Sequence, residues 1–351
     1  MRKTKRFTLE RPGNFILEEV EYPSPRDGEV LIKVKRCGIC GSDISAFFGK
    51  HPYIHTPIVL GHEFSGLIEE VGPNVSNISP GMRVTVLPHV PCGKCDACRG
   101  KKYNYCEELK VLGAQTDGAF SQYISVPSEM VFPLPDSMSL EDAALVEPAS
   151  VGYHAAKLGH ITSYDNILIF GAGPIGIFTM QSCKVFSAKT IGIADIDDDR
   201  LILAKRLGAD YIINPNLENI NEKLEKAIGG RKKLSLFFDC VGREGDVLDK
   251  IFQLAPRGSK VVVVGVLSSD YNIPHLPDFV EHELFISGST MYIPKDYTEV
   301  IDLINSKRIR TDGIISHYYN FEQIPEAFNM IVNRKEKFFK VIIKINEGGN
   351  I

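Results

Sequence analysis

The sequence predicts an α/β protein of two domains, a β-rich N-terminal domain followed by a doubly wound parallel sheet. The chain has 351 residues, more than a single hydrophobic core usually serves. Prolines recur throughout the first part of the chain and leave little room there for long helices. Further on, short apolar runs alternate with helical stretches, the pattern of a parallel sheet covered on both faces.

The first domain is predicted over residues 1–150, completed by 290–351. Its strands are short runs that alternate in polarity or are bounded by glycine and proline. Helical stretches and a terminal strand follow residue 290 and are too few for a third domain. The predicted strands are Val30–Lys35, Arg83–Leu87, Gln122–Val126 and Lys340–Ile345.

The second domain is predicted over residues 151–289, where the apolar runs have the length of buried strands. Helices are predicted at Pro174–Phe186 and Asp198–Leu207. The predicted strands are Asn166–Phe170, Thr190–Ala194, Tyr211–Ile213, Leu234–Cys240, Lys260–Val266 and Leu284–Gly288.

Charge and hydropathy argue against two classes of partner. The formal net charge is −4, and the basic cluster Arg2, Lys3, Lys5 and Arg6 is interpreted as a solvated chain end, so no nucleic-acid partner is expected. No apolar run reaches the roughly 20 residues that span a bilayer, and the N-terminus lacks the apolar core of a secretion signal. We therefore expect a cytoplasmic protein without a membrane partner.

Four cysteines form a C-x2-C-x2-C-x7-C array. Four thiolates on one short loop suit the closed tetrahedral coordination of structural zinc. The loop contains mostly charged residues between its cysteines, so metal binding must supply much of its order. In a reducing compartment such clustered cysteines indicate a metal site before disulfides. The predicted ligands are Cys92, Cys95, Cys98 and Cys106.

A second set of metal-binding residue types is spread more widely. Cys40, His62 and Glu147 offer one thiolate, one imidazole and one carboxylate. Three such ligands with an open fourth position characterise catalytic zinc. Spacing alone does not establish the site, because His62 could be an ordinary histidine and Glu147 could cap a turn.

A glycine-rich turn follows the predicted strand Asn166–Phe170 and opens a helix. It reads Gly171-Ala172-Gly173-Pro174-Ile175-Gly176, the G-x-G-x-x-G pattern in which the helix N-terminus faces a pyrophosphate. Asp195 closes the next strand, where an acid binds the ribose hydroxyls and repels a 2′-phosphate. The first basic residue after it is Arg200, a further predicted cofactor contact, so the sequence favours NAD over NADP. The alternative is that Asp195 only caps a helix.

The motif around His62, Gly61-His62-Glu63-Phe64-Ser65-Gly66, resembles the zinc signature of the medium-chain dehydrogenase/reductase family. The chain is most similar to its polyol branch, which includes sorbitol, threonine, galactitol-phosphate and sugar-acid dehydrogenases. The resemblance implies a GroES-like catalytic domain and a Rossmann cofactor domain. It also implies that Cys40, and not the nearby Cys37, is the ligand, and that Glu147 stands where classical alcohol dehydrogenases carry a cysteine.

The resemblance assigns further roles near the zinc. Ser42 corresponds to a relay hydroxyl that passes the substrate proton towards the cofactor ribose. Glu63 is either an exchanging ligand or a group that orients the site, and Asp43 is expected to accept the ring N–H of His62. Many relatives have a histidine where this chain has Ser45, so the proton leaves either by the ribose and water or through another group such as His51.

The function that follows is hydride transfer from a secondary alcohol of a polyol, sugar acid or sugar phosphate to NAD, with two zinc ions per subunit. The segment Asp117-Gly118-Ala119-Phe120 is closest to sugar-acid dehydrogenases of the galactonate type. An L-threonine or other amino-alcohol dehydrogenase remains an alternative, as does a non-catalytic cofactor-binding structural protein. The family further implies a homo-oligomer, a dimer or tetramer, that pairs through the strand Leu284–Gly288.

Overall fold

The computed structural model describes residues 2–242, 246–267, 271 and 276–346; the rest of the two predicted domains lies outside this description. Within it the chain forms two compact units. The first contains Met1–Glu147, Ile293–Asn305 and Gly313–Ile351, and the second contains Pro148–Tyr292 and Ser306–Asp312.

The strands and helices are numbered in chain order. The strands are β1 (Lys3–Arg11), β2 (Asn14–Glu21), β3 (Glu29–Gly38), β4 (Glu63–Val71), β5 (Arg83–Val86), β6 (His89–Val90), β7 (Lys110–Val111), β8 (Tyr123–Pro127), β9 (Val131–Pro133), β10 (Asn166–Phe170), β11 (Thr190–Ala194), β12 (Tyr211–Ile213), β13 (Leu236–Asp239), β14 (Lys260–Val263), β15 (Phe285–Gly288), β16 (Ile315–Asn320) and β17 (Lys340–Lys344). The helices are α1 (Gly41–Phe47), α2 (Asp96–Arg99), α3 (Leu140–Ala144), α4 (Val146–Leu158), α5 (Pro174–Val185), α6 (Asp198–Arg206), α7 (Ile220–Ile228), α8 (Asp246–Leu254), α9 (Leu276–Glu281), α10 (Pro294–Asn305) and α11 (Ile324–Val332).

The first unit is built on a sheet in the order β16-β17-β3-β4-β5-β9, and β8 also pairs with β3. Its central strand β3 pairs antiparallel with β4, β8 and β17. Consequently the terminal strand β17 completes the sheet next to β3, and the carboxyl end of β3 leads directly into Cys40 and α1. A separate hairpin of β1 and β2 joins this unit through bridges that include Leu9 to Ile58.

The basic N-terminal cluster is partly bound within this unit. Arg6 Nε donates to Glu18 Oε2 over 2.9 Å, and Arg6 Nη1 donates to Asp117 Oδ2 over 2.8 Å. The Arg2 guanidinium lies 4.0 Å from the ring centroid of Tyr22. Arg2 and Arg6 therefore also contact the surrounding fold, and their side chains stay 47% and 31% exposed, consistent with a solvated cluster.

The second unit contains a parallel sheet in the order β12-β11-β10-β13-β14-β15. All five residues of β10 are buried, as expected for a strand covered by helices on both faces. The strand order reverses at β10, and the loops beyond the carboxyl ends at such a point form the usual ligand crevice of a doubly wound sheet. The predicted α/β class is confirmed.

Strand predictions match best where the apolar run is continuous. Asn166–Phe170, Thr190–Ala194 and Tyr211–Ile213 coincide with β10, β11 and β12. The run predicted as Leu234–Cys240 is shorter in the structure, because Leu234 ends a 3-10 turn and Cys240 follows the last paired residue. In the described part of the chain, no helix is both long and apolar enough to cross a membrane.

Candidate functional site

The four-cysteine loop brings its sulfur atoms together. Cys95 Sγ and Cys98 Sγ are 3.4 Å apart, Cys92 Sγ and Cys98 Sγ are 3.8 Å apart, and all four sulfurs lie within 4.8 Å of one another. Zinc–sulfur bonds of about 2.3 Å in a tetrahedron place the sulfurs about 3.8 Å apart. Backbone N–H groups of Lys94 and Cys95 lower the pKa of Cys92 to about 6, whereas burial raises the pKa of Cys98 to about 12. The cluster therefore fits a tetrahedral zinc ion.

A second cluster forms at the end of β3 and the start of β4. Ligand atoms of Cys40, His62 and Glu63 lie within 4.8 Å of one another. Burial disfavours protonation of His62, but the charges of Asp43 and Cys40 outweigh it and raise its pKa well above its usual range. A pocket in which negative charge surrounds an imidazole suits a divalent cation.

Asp43 acts on the backbone of this cluster. Its Oδ2 accepts the Cys40 N–H over 2.8 Å and its Oδ1 accepts the Gly61 N–H over 3.4 Å. The expected hydrogen bond from His62 is not formed in the structure, since Nδ1 of His62 and Oδ1 of Asp43 are 3.7 Å apart. Asp43 therefore ties the two segments that carry Cys40 and His62, with its oxygens engaged by backbone donors.

Glu63 forms a buried ion pair that the sequence analysis missed. Nζ of Lys340, in β17, lies 2.7 Å from both carboxylate oxygens of Glu63 and donates to the Ile39 carbonyl over 3.1 Å. Both side chains are at most 5% exposed. A Cβ atom at Gly38 would lie 2.1 Å from Oε2 of Glu63, so this position must be glycine. No local motif signals the pair, because 277 positions separate its partners.

Glu147 lies in the first turn of α4 and is buried. Its ligand oxygens are not in the group of atoms within 4.8 Å that Cys40, His62 and Glu63 form. The charge of Glu147 nevertheless acts on Lys340, the partner of Glu63. Burial lowers the pKa of Lys340, but the charges of Glu63, Cys40 and Glu147 outweigh burial and raise it. The structure thus groups Glu63 with Cys40 and His62, and the role of Glu147 as a ligand stays a prediction.

The proposed relay hydroxyl lies in α1. Oγ of Ser42 is buried and has no hydrogen-bond partner within the described part of the chain. An unpaired buried hydroxyl is costly unless a ligand supplies its partner. Nδ1 of His51 accepts the backbone N–H of Tyr53 over 3.2 Å. Burial lowers the pKa of His51, and the charges of His62 and His55 lower it further.

The glycine-rich turn has the geometry that a dinucleotide site requires. Gly171 has φ +95°, and a Cβ atom at Gly176 would lie 1.7 Å from the Gly171 carbonyl oxygen. Gly173 is the N-cap of α5, and Pro174 is its first residue. A Cβ atom at Gly173 meets only Arg200 Nη1, at 3.9 Å, which leaves the backbone open to a ligand.

Asp195 lies beside this turn. Its Oδ2 accepts the Ala172 N–H over 2.6 Å, and its Oδ1 accepts the Asp197 N–H over 3.0 Å. The side chain that caps α6 is Asp197, so the alternative that Asp195 is a helix cap is wrong. Nε of Arg200 is buried without a partner among the described residues. The predicted cofactor residues are therefore neighbours around one turn.

Comparisons with known proteins identify both halves of the chain. Residues 26–136 match the alcohol dehydrogenase GroES-like domain, and residues 174–306 match the zinc-binding dehydrogenase family. L-idonate 5-dehydrogenase of Vitis vinifera is 36% identical over 87% of this chain and 85% of its own. Sorbitol dehydrogenase of Bacillus subtilis is 35% identical over 94% of both chains.

Solved structures agree over nearly the whole length. The alcohol dehydrogenase rspB of Escherichia coli CFT073, complexed with NADH, has a TM-score of 0.90 and 32% identity, covering 98% of this chain and 100% of that one. A zinc-binding dehydrogenase of Sinorhizobium meliloti bound to NADP has a TM-score of 0.89 and 28% identity, with the same coverage.

The family inferred from the motif around His62 is thereby confirmed, together with the GroES-like and Rossmann folds that it implied. The metal-ligand geometry, the glycine-rich turn and the relatives all indicate an alcohol-oxidising enzyme. The chain belongs to the zinc-dependent medium-chain dehydrogenase/reductase family, within its polyol dehydrogenase branch, and is an alcohol dehydrogenase.

Proposed function

We propose that this enzyme oxidises a secondary alcohol of a polyol, sugar acid or sugar phosphate, with zinc as Lewis acid and NAD as hydride acceptor. The observation that carries the proposal is the grouping of Cys40, His62 and Glu63 ligand atoms within 4.8 Å. The predicted first domain, 1–150 with 290–351, holds both metal sites, and the predicted second domain, 151–289, holds the cofactor.

Cys40 and His62 supply two ligands of the catalytic zinc. Glu147 is the third predicted ligand, and Glu63 is the carboxylate that the structure groups with them. The second zinc is held by the four cysteines of the Cys92–Cys106 loop. When bound, the catalytic zinc lowers the pKa of a substrate hydroxyl, and the nicotinamide ring accepts the hydride.

Ser42 handles the proton in this proposal. Its buried hydroxyl, which has no partner among the described residues, would accept a proton from the substrate hydroxyl and would release its own. Ser45 offers no imidazole to continue the path. His51 is poorly placed to be the next acceptor, since its Nδ1 already accepts the Tyr53 N–H. The route through ribose and water is therefore the one we favour.

A substrate panel tests the reaction class. Sorbitol, galactonate, idonate, a galactitol phosphate and ethanol are each assayed with NAD and with NADP, before and after removal of metal by a chelator. Because carboxylates surround the metal site and suit a polar pocket, we expect turnover of a polyhydroxylated substrate that disappears on chelation and returns with zinc. Fast ethanol oxidation without polyol turnover would contradict the substrate class, and full activity in metal-free protein would contradict the role of zinc.

The cofactor preference has its own test. We expect Asp195→Ser to lower kcat/KM for NAD by about tenfold or more, because charged hydrogen bonds to the ribose are lost. Use of NADP should rise at the same time, as a negative charge no longer opposes the 2′-phosphate. Asp199→Ser, at an exposed position in the same region, is the control. An unchanged NAD to NADP ratio in Asp195→Ser would remove the basis for the NAD preference.

A homo-oligomer is part of the same proposal. Strand β15 lies at the edge of the parallel sheet, and Phe285 on it is 58% exposed. An exposed apolar edge strand of this kind is available for pairing with a second copy. Sedimentation measures the assembly directly, and a monomer at micromolar concentration would contradict pairing.

A further inference from the structure

A segment after the four-cysteine loop holds the residues that precede His62. This segment, Gly113–Phe120, is called the strap. The N–H groups of Gly118, Ala119 and Phe120 donate to the carbonyl oxygens of Val59, Gly61 and Leu60 over 2.7, 2.8 and 2.9 Å, respectively. The backbone just before the predicted zinc ligand is thus bonded to the strap at consecutive residues.

The contact is close as well as hydrogen-bonded. A Cβ atom at Gly118 would lie 2.4 Å from the Gly61 carbonyl oxygen, and one at Gly113 would lie 2.9 Å from the Gly61 nitrogen. Side chains at positions 113 and 118 would therefore push the strap away from Gly61. The two glycines let two backbones pack directly against each other.

Asp117 completes the attachment with its side chain. Its Oδ1 accepts the Val59 N–H over 3.1 Å, and its Oδ2 accepts Arg6 Nη1 over 2.8 Å. Both backbone groups of Val59 are consequently bound by the strap, the N–H by Asp117 and the carbonyl by Gly118. Arg6 is itself anchored by Glu18, so the Asp117 carboxylate is held from the side of β1.

The loop before His62 needs such external support. Gly61 has φ +93°. Glycine adopts this conformation and several others at similar energy, so the residue itself does not hold the loop in one shape. Nothing in the local sequence therefore fixes the direction in which His62 leaves this loop. Metal binding requires the imidazole to stay within bonding reach of the ion that Cys40 also binds, and partners behind a ligand set that orientation.

We propose that Asp117 is a positioning residue for the catalytic metal: its bond to the Val59 N–H fixes residues 59–61 and, through them, the His62 ring. This inference rests on the proposed function, in which His62 binds the zinc. The inference gives a structural role to Asp117 and Gly118, which the sequence alone related only to a segment of sugar-acid dehydrogenases. The Arg6 ion pair is a secondary support, because half-exposed pairs contribute little.

Cobalt binding tests the inference. Protein that retains one zinc ion per chain is titrated with Co²⁺, and the cobalt–thiolate absorption that Cys40→Ala abolishes is assigned to the catalytic site. The variants are Asp117→Ala, which removes the acceptor for Val59, and Asp117→Asn, which keeps an acceptor oxygen but loses the charge. Asp27→Ala is the matched control, because this exposed aspartate contacts the Asn74 side chain on the surface.

We expect Asp117→Ala to bind Co²⁺ at the catalytic site about tenfold more weakly than the parent, the size of effect seen when partners behind a metal ligand are removed. Asp117→Asn should recover most of the affinity, and Asp27→Ala should match the parent. Parent-like affinity in Asp117→Ala, or equal losses in Asp117→Ala and Asp117→Asn, would overturn the positioning role alone. A parent protein without the Cys40-dependent signal would overturn the catalytic metal site, and this inference with it.

Discussion

Replacing Cys40 by alanine is expected to lower kcat/KM for alcohol oxidation by at least about a thousandfold. Lewis-acid stabilisation by a bound metal contributes several kcal/mol to the transition state, and about 4 kcal/mol corresponds to that factor. The thiolate of Cys40 is one of the ligand atoms grouped with His62 and Glu63. Its loss removes the charged sulfur ligand on which the proposed zinc site depends.

Cys37→Ala is the matched control for Cys40→Ala. Cys37 lies three positions earlier, near the end of β3, and burial raises the pKa of its thiol well above the usual range. It packs against Gly61, where a Cβ atom would lie 2.8 Å from its sulfur. A neutral packed thiol is not a metal ligand, so Cys37→Ala should keep its activity within a few-fold and lose only some stability.

Metal content separates the possible outcomes of the Cys40 test. Cys40→Ala should hold one zinc per chain, in the four-cysteine loop, whereas the parent and Cys37→Ala should hold two. Elemental analysis after gel filtration measures this ratio. If Cys40→Ala retained two zinc ions and parental kcat/KM, the proposed catalytic centre would be wrong, even though the family assignment would stand.

Short-range patterns predicted the parts of this protein that depend on neighbouring residues. Asn166–Phe170 is apolar after its first residue because both faces of β10 are covered, and Gly176 is required by its close approach to the Gly171 carbonyl within the same turn. The four cysteines lie on one loop, so their spacing alone predicts that their sulfur atoms come together. In these places the sequence interval and the spatial neighbourhood coincide.

Long-range packing decides what the patterns missed. Strand β16 was not predicted, since its alternating pattern in Ile315–Asn320 carries few aliphatic side chains. The motif around His62 indicates a ligand or orienting role for Glu63 but gives no sign of Lys340, which contacts Glu63 from the far end of the chain. The sequence predicts a bond from His62 to Asp43, but backbone donors engage the Asp43 oxygens instead. Each of these outcomes depends on contacts between residues that are far apart in the sequence, which local sequence patterns do not predict.

Replacing Lys340 by methionine is expected to lower the free energy of unfolding of the metal-free protein by about 3–5 kcal/mol. Removing one partner of a buried ion pair leaves the other charge without compensation in a medium of low polarity. Glu63 would be that charge, since both of its oxygens lie 2.7 Å from Lys340 Nζ and its side chain is 1% exposed. Urea unfolding of metal-free parent and variant measures the loss.

A double-mutant cycle distinguishes the uncompensated charge from lost packing. Glu63→Gln combined with Lys340→Met removes both charges, so the double variant should be more stable than Lys340→Met alone. Lys340→Arg keeps the cation and should lose much less. If the double variant were as unstable as the sum of the two single variants, the ion pair would contribute nothing beyond independent packing.

Zinc gives the same pair a second consequence. In Lys340→Met the proposed catalytic zinc would be the principal cation beside Glu63, so zinc binding and folding should be more tightly linked than in the parent. Added zinc should therefore raise the unfolding midpoint of Lys340→Met by more than that of the parent, and the difference should vanish when Glu63→Gln is also present. Equal zinc-induced shifts in parent and Lys340→Met would mean that Glu63 stays bound elsewhere and does not face the metal. A larger shift in the variant would show that Lys340 and zinc compete for the Glu63 carboxylate in the parent.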